Sequence, residues 1–384
     1  MTTDSRPEND AADRGPTDAA VGADRASTDA GAPDTPAARR TARAYWTVET
    51  ARGELRSETL PEVGLGEVLI RTLHSAVSRG TERLVHRGGI PRSEYDRMRA
   101  PFQNGDFPHP VKYGYASVGV VEAGPGALVG ERVFCLHPHQ DRYVVPASAV
   151  TVLPADVPVR RATLAANMET AVNVLWDARP CVGDRVAVVG AGVVGCLVAH
   201  LAARTAGAEV TLIDANPARA DVARALGVPF ESRSAPHPDA REDADLVVHA
   251  TGAPDGLALA LSLAGNEATV VEASWYGDRP VPAPLGEAFH SKRLRLVSSQ
   301  VGALPPHRVR RWDHGRRLLL ALRLLREPAL DALLTDEHPF DDIVSAMPRV
   351  LDDTDTLCAT FHYSAAFDSD TPGPCIPSPS ATDS

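Results

Sequence analysis

Gly190, Gly192 and Gly195 stand in a G-x-G-x-x-G spacing. They lie between an apolar run, 185–189, and a segment, 194–202, whose apolar residues recur at helical spacing. That order reads as strand, tight turn and helix, the combination that cradles a pyrophosphate. Gly190 permits the turn, Gly192 lets backbone approach the phosphates, and Gly195 packs the helix on the strand, so that the amides of Val193 and Val194 and the helix dipole face the anion. A second apolar run, 209–213, ends at Asp214, near the position expected for a carboxylate that accepts ribose hydroxyls. Such a carboxylate repels a 2′-phosphate by roughly 4 kcal/mol at contact for an effective dielectric near 20, which favours NAD over NADP. Arg219 relaxes that preference if its guanidinium turns toward the ribose. Thr251, Ser274 and Ser298 follow three further strand-like runs, at the edge where open α/β sheets bind ligands, with Trp275 and Tyr276 beside them as pocket walls or as simple packing.

The elements that position these residues change character along the chain. Residues 1–42 are Ala, Asp, Thr, Pro, Gly and Arg with few large apolar side chains, and 364–384 read alike; both are expected as disordered tails. Residues 43–165 hold short apolar runs broken by Gly and Pro, a β-rich pattern, with a polar insertion at 92–110. A helix over 160–178 leads into 166–302, where strands and helices alternate as in a doubly wound parallel sheet. Asn216-Pro217 signals a helix start and Gly227 its end. A long Arg/Leu helix over about 308–326, a strand near Leu333, a helix over 340–351 and a last strand over 357–363 do not continue that pattern, so 303–363 is expected to return to the first domain. The fold class is α/β: a Rossmann sheet plus a β-rich domain.

A net charge of -11 argues against a nucleic-acid or anionic-membrane surface. Cysteines 135, 181, 196, 358 and 375 form no C-x-x-C pair and read as reduced thiols, no run reaches the ~20 apolar residues of a membrane span, and no signal-peptide core is visible. A cytoplasmic enzyme is expected.

This order of domains resembles the medium-chain dehydrogenase/reductase superfamily, the alcohol-dehydrogenase-like proteins. The matching stretches are Gly130-Glu131-Arg132-Val133, Tyr143-Val144-Val145-Pro146-Ala147, Val182-Gly183-Asp184-Arg185-Val186 and Asp214-Ala215-Asn216-Pro217. Ser78-Arg79-Gly80-Thr81-Glu82 and Lys112-Tyr113-Gly114-Tyr115-Ala116 look most like the branch that contains bacteriochlorophyllide dehydrogenases. The resemblance implies a GroES-like catalytic domain for the β-rich part, a homodimer or homotetramer, and hydride transfer between nicotinamide and a small alcohol or ketone. It also implies zinc, and here the chain departs. Ser78, Tyr115-Ala116 and Ala166 stand where the family places its catalytic Cys, His-Glu and Cys, and the four-cysteine lobe for structural zinc is missing. No zinc is expected, because a catalytic site needs about three protein ligands.

Without zinc, side chains must manage the substrate oxygen. Tyr115, in the lost histidine's place, is read either as a phenol donating to an oxyanion or as a core aromatic. Lys112 three residues away would face the opposite side of an extended segment. His137 falls where relatives line the substrate; if the segment is extended, Cys135, His137 and His139 share a face, as proton-relay histidines, as a new metal site, or as loop and core residues. Ser78 and Thr81 read as a hydroxyl relay or as caps. Glu169 reads as a solvated or capping carboxylate, or as a general base if buried. Three activities remain open: a zinc-independent secondary-alcohol dehydrogenase, a quinone or enone reductase, and an inactive NAD(H)-binding sensor.

Overall fold

The computed structural model describes residues 40–235 and 243–364, so both expected tails and Cys375 fall outside the described residues apart from a few at their inner ends. The first strands are β1 (Thr41–Glu49), β2 (Arg52–Thr59), β3 (Glu67–Ala76), β4 (Asn104–Gly105), β5 (Val111–Lys112), β6 (Ser117–Ala123), β7 (Arg132–Cys135), β8 (Arg142–Pro146) and β9 (Val150–Val152). Helix α1 (Arg79–His86) follows β3. The residues form a small sheet of order β2-β1-β5-β4 and the greater part of a seven-stranded sheet.

Helices α2 (Val159–Ala162) and α3 (Ala165–Ala178) replace the single helix expected over 160–178. Beyond them lie β10 (Arg185–Val189), α4 (Val193–Ala202), β11 (Glu209–Asp214), α5 (Arg219–Ala225), β12 (Phe230–Ser232), β13 (Ala244–His249), α6 (Pro254–Leu263), β14 (Ala264–Glu272), α7 (Ala288–Ser291) and β15 (Arg295–Ser298). The six strands are parallel in the order β12-β11-β10-β13-β14-β15. In chain sequence that is 3-2-1-4-5-6, with the topological switch between β10 and β13, where doubly wound sheets leave a crevice. Val186, Val188, Leu212, Leu246 and Val248 pack with α3 and α4 on one face and Ala187, Val189, Ile213 and Val247 with α6 on the other, which is why these strands read as continuous apolar runs.

The chain ends in α8 (His314–Leu324), β16 (Leu334–Pro339), α9 (Ile343–Asp352) and β17 (Cys358–His362). Helix α8 starts six residues later than the apolar pattern suggests, because Asp313 caps it by accepting the Arg316 N–H at 2.7 Å. β17 pairs antiparallel with β3 and parallel with β16, completing the seven-stranded sheet of order β16-β17-β3-β6-β7-β9, with β8 also on β3. One apolar core runs from Val118 and Phe134 of the β-rich sheet through Met168 of α3 to Leu197 of α4 and Leu318 of α8. Among the described residues no helix is long and apolar enough to cross a membrane.

Candidate functional site

The glycine turn has the shape its sequence suggests. Gly190 sits at φ +109, in the left-handed region that favours glycine. A Cβ on Gly195 would come within 1.8 Å of the Gly190 carbonyl oxygen, whereas one on exposed Gly192 would meet no protein atom within 4 Å. The backbone at Gly192 is therefore open to a ligand, directly before the buried Val193 and half-buried Val194 of the first turn of α4. The Asp214 carboxylate accepts the Ala191 N–H at 2.6 Å and the Asn216 N–H at 2.8 Å, tying the end of β11 to the turn while keeping further lone pairs for a ribose. Asn216 does not cap α5 itself: its side chain accepts the Ala218 N–H, and the helix starts at Arg219. Arg219 points elsewhere, with its guanidinium donating to the carbonyls of Thr354 and Asp355. These features fit a dinucleotide.

Thr251, Ser274 and Ser298 lie at or just beyond the carboxyl ends of β13, β14 and β15. The loop after β14 then leaves the sheet and docks on the far side of the crevice. The Asp278 N–H reaches the Gly89 carbonyl at 3.1 Å, and Trp275 packs among Val85, Ile90, Phe107, Tyr113 and Tyr115. Phe107 and Tyr95, from the insertion at 92–110, help build that aromatic cluster.

Tyr115 joins this cluster with its ring 5.9 Å from Tyr113, edge to face. Its phenol lies near the Ser78 and Thr81 hydroxyls at the start of α1, close enough for both to act on it. Ser78 occupies the N-cap position of that helix but makes no side-chain cap, which leaves its hydroxyl for Tyr115. Burial pushes the Tyr115 phenol up to about 12 despite those two hydroxyls, so it is protonated at neutral pH.

Behind the hydroxyls runs a buried network whose central carboxylate the residue spacing gave no cause to single out. Glu82 accepts the Ser78 N–H at 2.8 Å and pairs with His139 Nε2 at 2.9 Å. His139 Nδ1 meets Ser75 Oγ at 2.7 Å, and Ser75 meets the Tyr363 hydroxyl at 2.8 Å. Glu82 and its partner His139 lie 57 residues apart in the chain.

The remaining candidate residues take the following places. β7 ends at Cys135, and the chain then turns, with the His137 N–H on the Cys135 carbonyl, so strand alternation does not carry Cys135, His137 and His139 onto one face. His137 stacks on Tyr143 at 3.6 Å between centroids, and burial lowers its pKa to about 3, which holds the ring neutral. Lys112 is committed to Glu58 at 2.6 Å and Gln140 at 2.8 Å. Glu169 neither meets solvent nor caps a helix: it is buried in an ion pair with Arg317 at 3.1 Å, bracing α3 against α8. Burial raises its carboxyl, and Arg317 acts in the opposite direction.

Among the described residues no group of three His, Cys, Asp or Glu is placed to hold a metal ion. Serine, phenol and methyl groups at 78, 115, 116 and 166 are a donor set that does not fit zinc.

The comparisons with known proteins agree with this geometry. The family model for ketopantoate reductase PanE/ApbA matches residues 186–267, the nucleotide half from the glycine turn to β14. The chain is 27% identical to the 2-desacetyl-2-hydroxyethyl bacteriochlorophyllide A dehydrogenase of Rhodobacter capsulatus, over 78% of this chain and 90% of the relative. It is 24% identical to the D-guloside 3-dehydrogenase of Escherichia coli K12, over 72% and 91%. An alcohol dehydrogenase from Escherichia coli CFT073, solved with NADH, superposes with a TM-score of 0.67 at 17% identity, over 84% of this chain and 99% of that one. In its fold, its nucleotide-binding sheet and these relatives, the chain is similar to the medium-chain dehydrogenase/reductase superfamily, the alcohol-dehydrogenase-like proteins.

Proposed function

We propose that the chain is a nicotinamide-dependent oxidoreductase that interconverts a secondary alcohol and its ketone, with side-chain hydroxyls in place of a catalytic zinc. The observation that carries the reading is the place of Tyr115, in one cluster with Trp275 from the loop that leaves the nucleotide sheet and near the hydroxyls of Ser78 and Thr81. When bound, the nicotinamide accepts or supplies the hydride. Gly190, Gly192, Gly195 and the amides of Val193 and Val194 hold the pyrophosphate, and Asp214 holds the adenine-side ribose. Because Arg219 is spent on two carbonyls, the Asp214 carboxylate sets the preference, for NAD(H) over NADP(H).

Tyr115 donates its proton to the oxygen of a ketone as negative charge develops there. Ser78 and Thr81 then donate to the phenolate, and Glu82 with His139 fixes the start of α1 so that both hydroxyls keep that geometry. His137 lines the region as a neutral stacked ring, not as a relay. In the reverse direction the phenolate removes the alcohol proton. The relatives' dehydrogenase names support this class of reaction. For the assembly we propose a homo-oligomer, with the exposed edge strand β15 as the natural contact.

A coupled assay of secondary alcohols and ketones with NAD(H) and NADP(H) tests the reading. Turnover with a preference for NAD(H) that Asp214→Ser erodes about tenfold or more is expected. Tight cofactor binding with no turnover on any alcohol or ketone would instead favour a redox sensor.

A further inference from the structure

The carboxyl edge of the parallel sheet carries a second polar group, outside the cluster around Tyr115. His249 and Glu272 are the last residues of β13 and β14 and lie side by side in register, between Val189 of β10 and Ser298 of β15. The His249 side chain is 0% exposed and that of Glu272 16%. The Glu272 carboxylate accepts the Ser274 N–H at 2.8 Å and the Tyr276 hydroxyl at 2.9 Å, and lies 2.8 Å from His249 Nδ1. His249 Nε2 stands 2.6 Å from Thr251 Oγ1, which accepts the Ala253 N–H at 2.9 Å. Glu272 contributes a carboxylate to this cluster. Exposed Arg279 donates to the carbonyls of Gly252 and Tyr276 from the solvent side, where water screens it.

The place of this charge matters. A dinucleotide whose adenine-side ribose meets Asp214 on β11, and whose pyrophosphate meets the turn after β10, extends across the switch point over β13 and β14. Its second ring thus lies on the side of the sheet that carries Glu272. The oxidised nicotinamide ring bears one positive charge and the reduced ring none. Repulsion between Glu272 and the phosphates is the same for both forms and cancels in their ratio.

We infer that Glu272 is an electrostatic specificity residue for the cofactor's redox state. Its carboxylate, fixed by His249, Tyr276 and the Ser274 amide, favours the cationic oxidised ring. The bound cofactor is thereby biased toward giving hydride away, which is the direction of ketone reduction. This inference rests on the dinucleotide reading above and adds a role that the proton-handling hydroxyls do not supply.

Equilibrium binding of NAD+, NADH and ADP-ribose to the full chain tests it. Glu272→Gln is expected to raise the ratio of the NAD+ to the NADH dissociation constant about tenfold, since a unit charge is lost near a cationic ring. Glu272→Asp, which keeps the charge, is expected to hold the ratio near that of the unaltered chain, and ADP-ribose, which lacks the ring, to bind both forms of the protein equally. An unchanged NAD+/NADH ratio in Glu272→Gln, with ADP-ribose affinity intact, would overturn the inference. Should Glu272→Gln lose ADP-ribose binding through misfolding, Ser274→Asp probes the same field from the neighbouring position. There the ratio is expected to fall, and an unmoved ratio would equally overturn the inference. Failure of the unaltered chain to bind any of the three ligands would defeat the dinucleotide reading itself.

Discussion

In the proposed reaction Tyr115 does the work that a Lewis acid does in zinc enzymes, and its surroundings suit one direction of proton flow. With its phenol held near 12, it is a ready hydrogen-bond donor at neutral pH and a poor base. Ketone reduction should therefore be nearly independent of pH between about 6 and 9, while alcohol oxidation should climb about tenfold per pH unit until the phenol ionises. A pH profile of kcat/KM in both directions checks this; a plateau in oxidation near pH 7 would point to a different base. Tyr115→Phe is expected to lower kcat by about 10²- to 10⁴-fold while leaving the NADH dissociation constant unchanged. His137 yields a stability prediction. Its ordinary value of 6.5 falls to about 3 in the folded chain, so the unfolded chain takes up the proton first and stability is lost as pH falls from about 6.5 toward 3. His137→Phe should flatten that limb of a urea-denaturation profile. Position 137 was legible as a site of interest, but its stacking on Tyr143 was not, because a ring packed across two strands leaves no periodic trace.

At the scale of elements, the glycine turn was readable because its determinants are local. Strand, turn and helix lie within 18 residues, and inside them Gly195 answers to the Gly190 carbonyl while Gly192 faces open space. Gly195→Ala sets a Cβ against the Gly190 carbonyl at 1.8 Å, so loss of NADH binding, or of the fold, is expected, where Gly192→Ala should mainly weaken binding. Calorimetric titration of the two variants separates the cases. The pairings that span distant elements were not readable. Glu169 on α3 and Arg317 on α8 are 148 residues apart, and nothing in either segment marks them as partners. Removing one member leaves the other charged and buried, so Arg317→Ala should cost about 3 to 5 kcal/mol in denaturant unfolding, with Glu169→Ala costing about as much. Equal stability of Arg317→Ala and the unaltered chain would show that the pair does not brace the two helices. The same distance hid Glu82 and His139, and the apolar run around His249 hid its alignment with Glu272.

Over the whole molecule, the alternation of strands and helices in the middle of the chain was enough to anticipate a doubly wound sheet, and the break in that pattern after Gly302 pointed to a returning segment, now seen as β17 on β3. Register and strand order were not available from pattern alone, and with them went the knowledge that the Ser274–Asp278 loop crosses the crevice to α1. That crossing carries Trp275 into the cluster that holds Tyr115. The central claim is that hydroxyl chemistry at Tyr115 has replaced a metal. Its most direct test is to measure the zinc content of the purified chain together with NADH-linked ketone reduction before and after exhaustive chelation. Sub-stoichiometric zinc with reduction undiminished by the chelator is the expected result. One zinc per chain, with activity lost on chelation and restored by zinc, would contradict it.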